Sequence, residues 1–311
     1  VSMDPSGSYF FDNFSNTETL PQTTLRSMND QMLRILSAPV SDRHRYVKIQ
    51  PPILCTIPAR DGLELQAMVL LPPKMNFETT SSRIKLPVLF HIYAGPQAPI
   101  VQNSWPQRNY WWHQMLCSNG YAVGLCDNRS ARGRGVADTW TIRGAMGRVE
   151  LRDLEDAVDW VCEQPWADPN RIGLWGWSYG GYMTAYALTH SQKFRAGIAG
   201  APVTDWKNYD SIYTERYMDL PDRNATGYQS SSVVDAAAEL HGRLLLIHGE
   251  RDDNVHLSNT LQLAAELQAA GKQFDMMIYP KARHSVVEPN KRSQMYQLMT
   301  EFLETHLKGN R

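Results

Sequence analysis

The chain has 311 residues, 42% hydrophobic and 20% charged, with a net charge of -1. That balance excludes disorder throughout and gives no general pull toward nucleic acid or anionic lipid, the densest basic cluster being Arg129, Arg132 and Arg134. No apolar run approaches the roughly 18 residues that a membrane span needs, and Cys55, Cys117, Cys126 and Cys162 lack metal-ligand spacing and read mostly as buried free thiols.

The first five residues, Val1-Ser2-Met3-Asp4-Pro5, carry no secretory signal pattern and read as the start of a fragment. Residues 1–45 differ in texture from the rest. Tyr9-Phe10-Phe11, Thr23 to Arg26 and Met32 to Leu36 are short candidate strands, with turn residues at Asp4 to Gly7 and Ser15 to Thr17. Three short strands cannot bury a core alone. They must pack on the later part of the chain or belong to a sheet that continues elsewhere.

From residue 46 onward the pattern is alternating. Asp61-Gly62 signals a hairpin ahead of a strand over 63–70. Further strands are expected at 86–93, 121–126, 171–176, 244–249 and 274–279, short apolar runs suited to burial on both faces. Between them, Leu151, Leu154, Val158 and Val161 mark one face of a helix. Leu257, Leu261 and Ala264 start another, which Gly271 would cap. Met295, Met299, Phe302 and Leu303 stripe the last one. Such alternation predicts an α/β protein, a mostly parallel sheet flanked by helices, occupying residues 46–311.

Gly176-Trp177-Ser178-Tyr179-Gly180 fits G-x-S-x-G. The pattern alone is weak. Its context is stronger, because a strand runs into it and Tyr182 to Leu188 continues as a helix. A turn that sharp needs small neighbours, and it holds the Ser178 hydroxyl at a helix N-terminus where N–H groups favour developing negative charge. A serine also needs a base and an orienting acid, in the chain order Ser, Asp or Glu, His. Asp252 follows the strand at 244–249 and is the expected acid, with Asp253 as the alternative. Of nine histidines, only His284 lies in the loop after the next strand. His248 and His256 read as strand-end and helix-start residues. The expected oxyanion donors are the Tyr179 N–H and, from the loop Tyr93-Ala94-Gly95-Pro96, either the Tyr93 hydroxyl or another group, since a core role for Tyr93 fits equally. Trp206, Tyr209, Tyr213 and Tyr217 would share one face if their segment were helical, as a buried stripe or as a binding wall.

Several segments together resemble the prolyl oligopeptidase family, in its dipeptidyl peptidase IV branch. They are Tyr93 to Pro96, Gly176 to Tyr182, Ala201-Pro202-Val203, Tyr209 to Met218, and His248 to His256. The resemblance implies the α/β-hydrolase fold and a serine exopeptidase that releases Xaa-Pro or Xaa-Ala dipeptides from peptide N-termini. It implies Ser178, Asp252 and His284 as the triad and Tyr93 as side-chain oxyanion donor. Tyr179, Val203, Trp206, Tyr209 and Tyr213 would wall the proline pocket, and Tyr209 and Asn254 would touch polar groups near the substrate's N-terminus. No metal or cofactor is implied. The partner is a peptide, a homodimer is left open, and the setting leans to periplasmic or secreted. In the family a β-propeller supplies the glutamates that grip the substrate's amine. Residues 1–45 resemble only the end of that propeller, so the rest of it is expected to be missing from this chain. The loop Asp127 to Gly133 also departs from the family, with Ser130 where a glycine commonly follows the arginine. A carboxylesterase or acylaminoacyl-type peptidase would need the same three residues without the tyrosine-rich segment. A non-catalytic interaction protein would need one of the three broken, and none is.

Overall fold

The computed structural model describes residues 1–37, 50–75, 77, 85–105, 109–131, 133 and 135–309. The expected division at residue 45, and Arg132 and Arg134 of the basic cluster, lie outside the described residues.

Strands β1 (Ser2–Met3), β2 (Tyr9–Phe14), β3 (Gln22–Ser27) and β4 (Met32–Ser37) form an antiparallel sheet in that order. It buries almost nothing. Tyr9, Phe11, Phe14, Met32, Leu33 and Ile35 are all exposed. Its described ties to the rest include the Thr17 N–H donating to Asn103 Oδ1 at 3.3 Å and the Trp105 N–H donating to Ser15 Oγ at 3.2 Å.

The second sheet has eight strands: β5 (Ile53–Pro58), β6 (Glu64–Leu70), β7 (Leu86–Ile92), β8 (Ala122–Cys126), β9 (Ala167–Trp177), β10 (Ala196–Gly200), β11 (Arg243–Gly249) and β12 (Asp275–Tyr279). Their spatial order is β12-β11-β10-β9-β7-β8-β6-β5. All pairs from β12 to β8 are parallel, and β6 joins β8 and β5 antiparallel. Gly62 turns the β5–β6 hairpin at φ 83°, a conformation that costs glycine little.

The helices are α1 (Tyr110–Ser118), α2 (Val136–Thr139), α3 (Arg148–Cys162), α4 (Tyr179–His190), α5 (Ser211–Met218), α6 (Ala225–Ser230), α7 (Ser258–Ala269) and α8 (Pro289–Leu303). Leu151, Leu154, Leu188 and Leu263 bring α3, α4 and α7 onto one apolar core. Leu116, Met299 and Leu303 bring α1 and α8 onto another. A parallel sheet needs such cover, because crossover connections place helices on its faces. Strand order and layers are those of the α/β-hydrolase fold.

Three expectations change. The sheet and its cover include β5, β10 and α1, which the sequence pattern does not mark. β10 reads Ala-Gly-Ile-Ala-Gly, with no bulky alternation. The buried stripe of α7 is Leu263, Ala264 and Leu267, while Leu261 is 48% exposed. The segment from Trp206 to Tyr217 is not one helix either. Trp206–Asn208 is a single 3-10 turn, Tyr209 is extended, and α5 starts only at Ser211, where the Asp210 carboxylate accepts the Tyr213 N–H at 2.9 Å. Of the four free cysteines, Cys117 and Cys126 are buried, whereas Cys55 and Cys162 are half-buried.

Candidate active site

β9 ends at Trp177 and the chain turns at Ser178 directly into α4. Ser178 sits at φ 61° and ψ -119°, a left-handed conformation for a residue with a side chain. Such strain costs about 1–3 kcal/mol and persists only where the surroundings over-determine it. Here the Ser178 N–H donates to the Gly200 carbonyl at 2.8 Å, and its carbonyl accepts the Tyr182 N–H at 2.9 Å. A Cβ on Gly180 would lie 2.3 Å from the Ile92 carbonyl oxygen, so α4 can start this close to β7 only with glycine there.

The loop after β11 carries Asp252. Its Oδ1 accepts the N–H groups of Asn254 and Val255, both at 3.0 Å. Its Oδ2 lies 2.8 Å from His284 Nδ1 and 3.3 Å from His248 Nε2. Burial alone would raise the Asp252 carboxyl. Hydrogen bonds from His248 and His284 and from the Asn254 N–H outweigh it and hold the group well below the usual carboxylate range. Asp253 points elsewhere, pairing with Arg283 at 3.0 Å. The expected strand-end residue His248 thus touches Asp252 as well as Thr260 Oγ1, at 2.7 Å. His256 is exposed.

Tyr93 follows β7. Burial pushes its phenol up, against a hydrogen bond to Ser178 that pulls it down, so the hydroxyl keeps its proton at neutral pH. A Cβ on Gly95 would fall 2.7 Å from the Tyr93 ring. The loop behind is fixed from β8: the Asp127 carboxylate accepts the N–H groups of Ile100 and Val101 at 2.8 and 3.1 Å. Ser130, the departure from the family loop, accepts the Gln97 N–H on its carbonyl at 2.9 Å, and its hydroxyl accepts the Asn128 amide at 2.8 Å. Arg129 is clamped by Asp153 and Asp61, each at 2.7 Å.

Ser178, Tyr93, His284, Tyr209 and Asn254 open on one cavity of about 530 Å³. The Tyr209 hydroxyl donates to Asn254 Oδ1 at 2.7 Å. The other aromatic residues lie together but outside the cavity wall. Trp206 packs 5.3 Å from Tyr179, 5.9 Å from Tyr209 and 6.1 Å from Tyr213, measured between ring centres. Val203 and Trp206 are buried.

Sequence reasoning missed two neighbours. The Trp177 indole N–H donates to the His284 carbonyl at 2.6 Å. Glu150, in the first turn of α3, accepts the Tyr179 hydroxyl at 2.7 Å and the Gly147 N–H at 3.0 Å. Burial pushes the Glu150 carboxyl up to about 7, against those two hydrogen bonds. The signal was present in the sequence, an acidic residue three after the residue preceding the helix. Its contact with Tyr179 was not, because that depends on how α3 packs on α4. Among the described residues, no group of three His, Cys, Asp or Glu side chains is placed to hold a metal ion, and no helix is long and apolar enough to cross a membrane.

The sequence profile of the prolyl oligopeptidase family matches residues 107–310. A probable dipeptidyl-aminopeptidase B of Emericella nidulans is 40% identical over 255 residues, 80% of this chain and 27% of that protein. Dipeptidyl peptidase 8 of Mus musculus is 37% identical over 263 residues, 83% of this chain and 29% of that protein. The chain therefore spans little more than a quarter of the length of these curated relatives. Among solved structures, dipeptidyl peptidase 4 of Porphyromonas gingivalis superposes with a TM-score of 0.90 at 35% identity, over 97% of this chain and 42% of that one. A putative dipeptidyl aminopeptidase IV of Bacteroides ovatus gives 0.89 at 30% identity, over 98% and 43%.

Proposed function

Since the chain belongs to the prolyl oligopeptidase family, we propose that it is the hydrolase part of a serine dipeptidyl peptidase that releases Xaa-Pro or Xaa-Ala from peptide N-termini through an acyl-enzyme. The observation that carries this reading is the convergence on one cavity of a strained Ser178, the Tyr93 hydroxyl, and a His284 paired with Asp252 at 2.8 Å. The names of the relatives, dipeptidyl-aminopeptidase B and dipeptidyl peptidase 8, support the same class of activity.

In this reading Ser178 Oγ attacks the carbonyl of the second substrate residue while His284 takes its proton. Asp252 holds the imidazole so that Nδ1 donates to the carboxylate and Nε2 is left to accept. Negative charge gathers on the carbonyl oxygen, where the Tyr93 hydroxyl and the Tyr179 N–H stabilise it. The leaving amine then takes the proton from His284, and water releases the dipeptide by the reverse path. Tyr179, Val203, Trp206, Tyr209 and Tyr213 form the wall for the proline ring, which is apolar and has no N–H to satisfy. Tyr209 and Asn254, already bonded to each other, would share their remaining hydrogen-bonding capacity with the substrate's polar groups.

The test compares kcat/KM for Gly-Pro anilide with that for a short-chain acyl ester on the same chain. Preferential cleavage of the anilide is expected. Cleavage of the ester alone would replace this reading with an esterase on the same fold.

A further inference from the structure

The packed side of Ser178 contains one contact that stability does not explain. Glu150 is 1% exposed, and both of its hydrogen bonds fall on one oxygen: Oε1 accepts the Tyr179 hydroxyl at 2.7 Å and the Gly147 N–H at 3.0 Å. Its other oxygen, Oε2, is buried with no hydrogen-bond partner among the described residues. A buried carboxyl left half satisfied costs stability, and an apolar side chain of similar size would pack there at less cost. What the carboxyl supplies instead is direction.

The other contacts of the Tyr179 ring are not directional. Its ring neighbours include Trp206, Tyr182 and Tyr93, at 5.3, 5.5 and 6.2 Å between ring centres. Aromatic pairs accept a range of offsets, so such contacts let a ring tilt at small cost. The near end of the ring belongs to the residue after Ser178, at the start of α4. The far end, the hydroxyl, is tied to Glu150. The oxyanion side is packed against the same ring, since a Cβ on Gly95 would sit 2.7 Å from the Tyr93 ring and 3.3 Å from the Tyr179 ring.

The residues just ahead of Glu150 are themselves fixed to the two helices that carry Tyr179 and Tyr213. The Met146 carbonyl accepts the Tyr182 hydroxyl of α4 at 2.9 Å, and the Gly144 N–H donates to the Tyr217 carbonyl of α5 at 2.8 Å. A Cβ on Gly147 would collide with the Tyr182 hydroxyl, so this approach requires glycine. Glu150 thus holds Tyr179 from a rigid support.

We propose that Glu150 is a positioning residue for proline selection: its hold on the Tyr179 hydroxyl sets the angle of the ring against which the substrate proline packs. The proposal rests on the serine-peptidase reading above. Proline presents a flat ring to that wall, whereas alanine presents one methyl group and loses less when the wall tilts. Attack by Ser178, proton transfer by His284 and the Tyr93 oxyanion contact are common to both substrates. They cancel in the ratio of kcat/KM for Gly-Pro anilide to that for Gly-Ala anilide, and so does a change in the folded fraction.

The experiment measures that ratio for wild type, Glu150→Gln, Glu150→Ala, Tyr179→Phe and the double variant Glu150→Ala/Tyr179→Phe. Glu150→Ala and Tyr179→Phe should each lower it by about tenfold. Glu150→Gln keeps an oxygen acceptor for the hydroxyl and should hold the ratio within about threefold of wild type. The double variant should be no lower than either single one, because Glu150 has nothing left to hold once the hydroxyl is gone. An unchanged ratio in either single variant, with both anilides still cleaved, overturns the proposal and leaves the peptidase reading standing. Effects that multiply in the double variant also overturn it, because Glu150 would then act apart from Tyr179. A loss in Glu150→Gln as large as in Glu150→Ala does the same, since the tie to the hydroxyl would not be what matters. Should Glu150→Ala fail to fold, Tyr179→Phe and Glu150→Gln decide: a lowered ratio in the first with a retained one in the second supports the proposal, and any other pair overturns it. Cleavage of neither anilide by wild type, with Ser178 unreactive to a fluorophosphonate, overturns the peptidase reading and this proposal with it.

Discussion

The two flanks of Ser178 are built differently. On one side Tyr179, Trp206 and Tyr213 pack ring against ring, with the Glu150 carboxyl buried beneath Tyr179. On the other, Tyr93, His284 and Trp177 face an open cavity of about 530 Å³. The difference teaches where rigidity and access are divided. As the proposed wall for a proline ring, the first flank gains from being pre-packed, since ordering loose side chains on binding costs about 0.5–1.5 kcal/mol each. In the proposed reaction the His284 side must instead admit and release a leaving group.

The deepest break in that comparison removes the residue both flanks share. Ser178→Ala should lower turnover of Gly-Pro anilide by about 10⁶-fold and abolish labelling by a fluorophosphonate. Equal labelling of both proteins would remove Ser178 from the chemistry.

A step down in size, Asp252→Asn tests the open flank alone. The amide cannot accept the Nδ1 proton as the carboxylate does, so His284 is left in the wrong tautomer. A fall in kcat of about 10⁴-fold is expected, with little change in thermal stability. Because Asp252 also faces His248 at 3.3 Å, the control is His248→Asn, which should reduce stability more than turnover. The reverse pattern would transfer the role of base to His248.

Tyr93→Phe probes the boundary between the flanks. Its hydroxyl matters mainly when the oxyanion forms, so kcat should fall more than KM changes, by about 2.7–4 kcal/mol in the transition state. Activity within twofold of wild type would show that backbone N–H groups suffice.

The smallest effect belongs to the packed flank and is read in stability. Glu150 has its carboxyl raised from 4.5 to about 7 by burial. Between those two values the folded chain keeps a proton that the unfolded chain has released. Stability from this group is therefore full below about pH 4.5 and declines as pH rises through about 7, by at most roughly 3 kcal/mol. Glu150→Gln should flatten that part of the Tm-against-pH curve. An unchanged slope in the variant would assign the pH dependence to other groups.

Much of the site is legible in the sequence because its signals are local. The strand-to-helix turn at Ser178 is marked by Gly176 and Gly180, and the positions of Asp252 and His284 follow from strand order. Expectations fail where the signal is distributed. β10 is built of small residues because neighbours press on it: a Cβ on Gly200 would meet the Trp177 ring at 2.0 Å. Nothing within its five residues announces a strand. The aromatic stripe has helical spacing, but Asp210 caps α5 at Ser211, so the four rings meet through a turn, an extended residue and a helix.

The sequence by itself determined the fold class, because hydrophobic period and glycine punctuation are written in neighbouring residues, and its motif segments resemble the family whose profile matches residues 107–310. Only the tertiary structure decided that Glu150 underlies Tyr179, that His248 shares Asp252, and that Leu70, Leu125, His91 and His113 come together beside Ser178. The last grouping joins β6, β7, β8 and α1, whose separation along the chain hides it. Which side chains share a cavity depends on how the sheet is ordered and on which face each strand presents, and that is settled only when the layers pack.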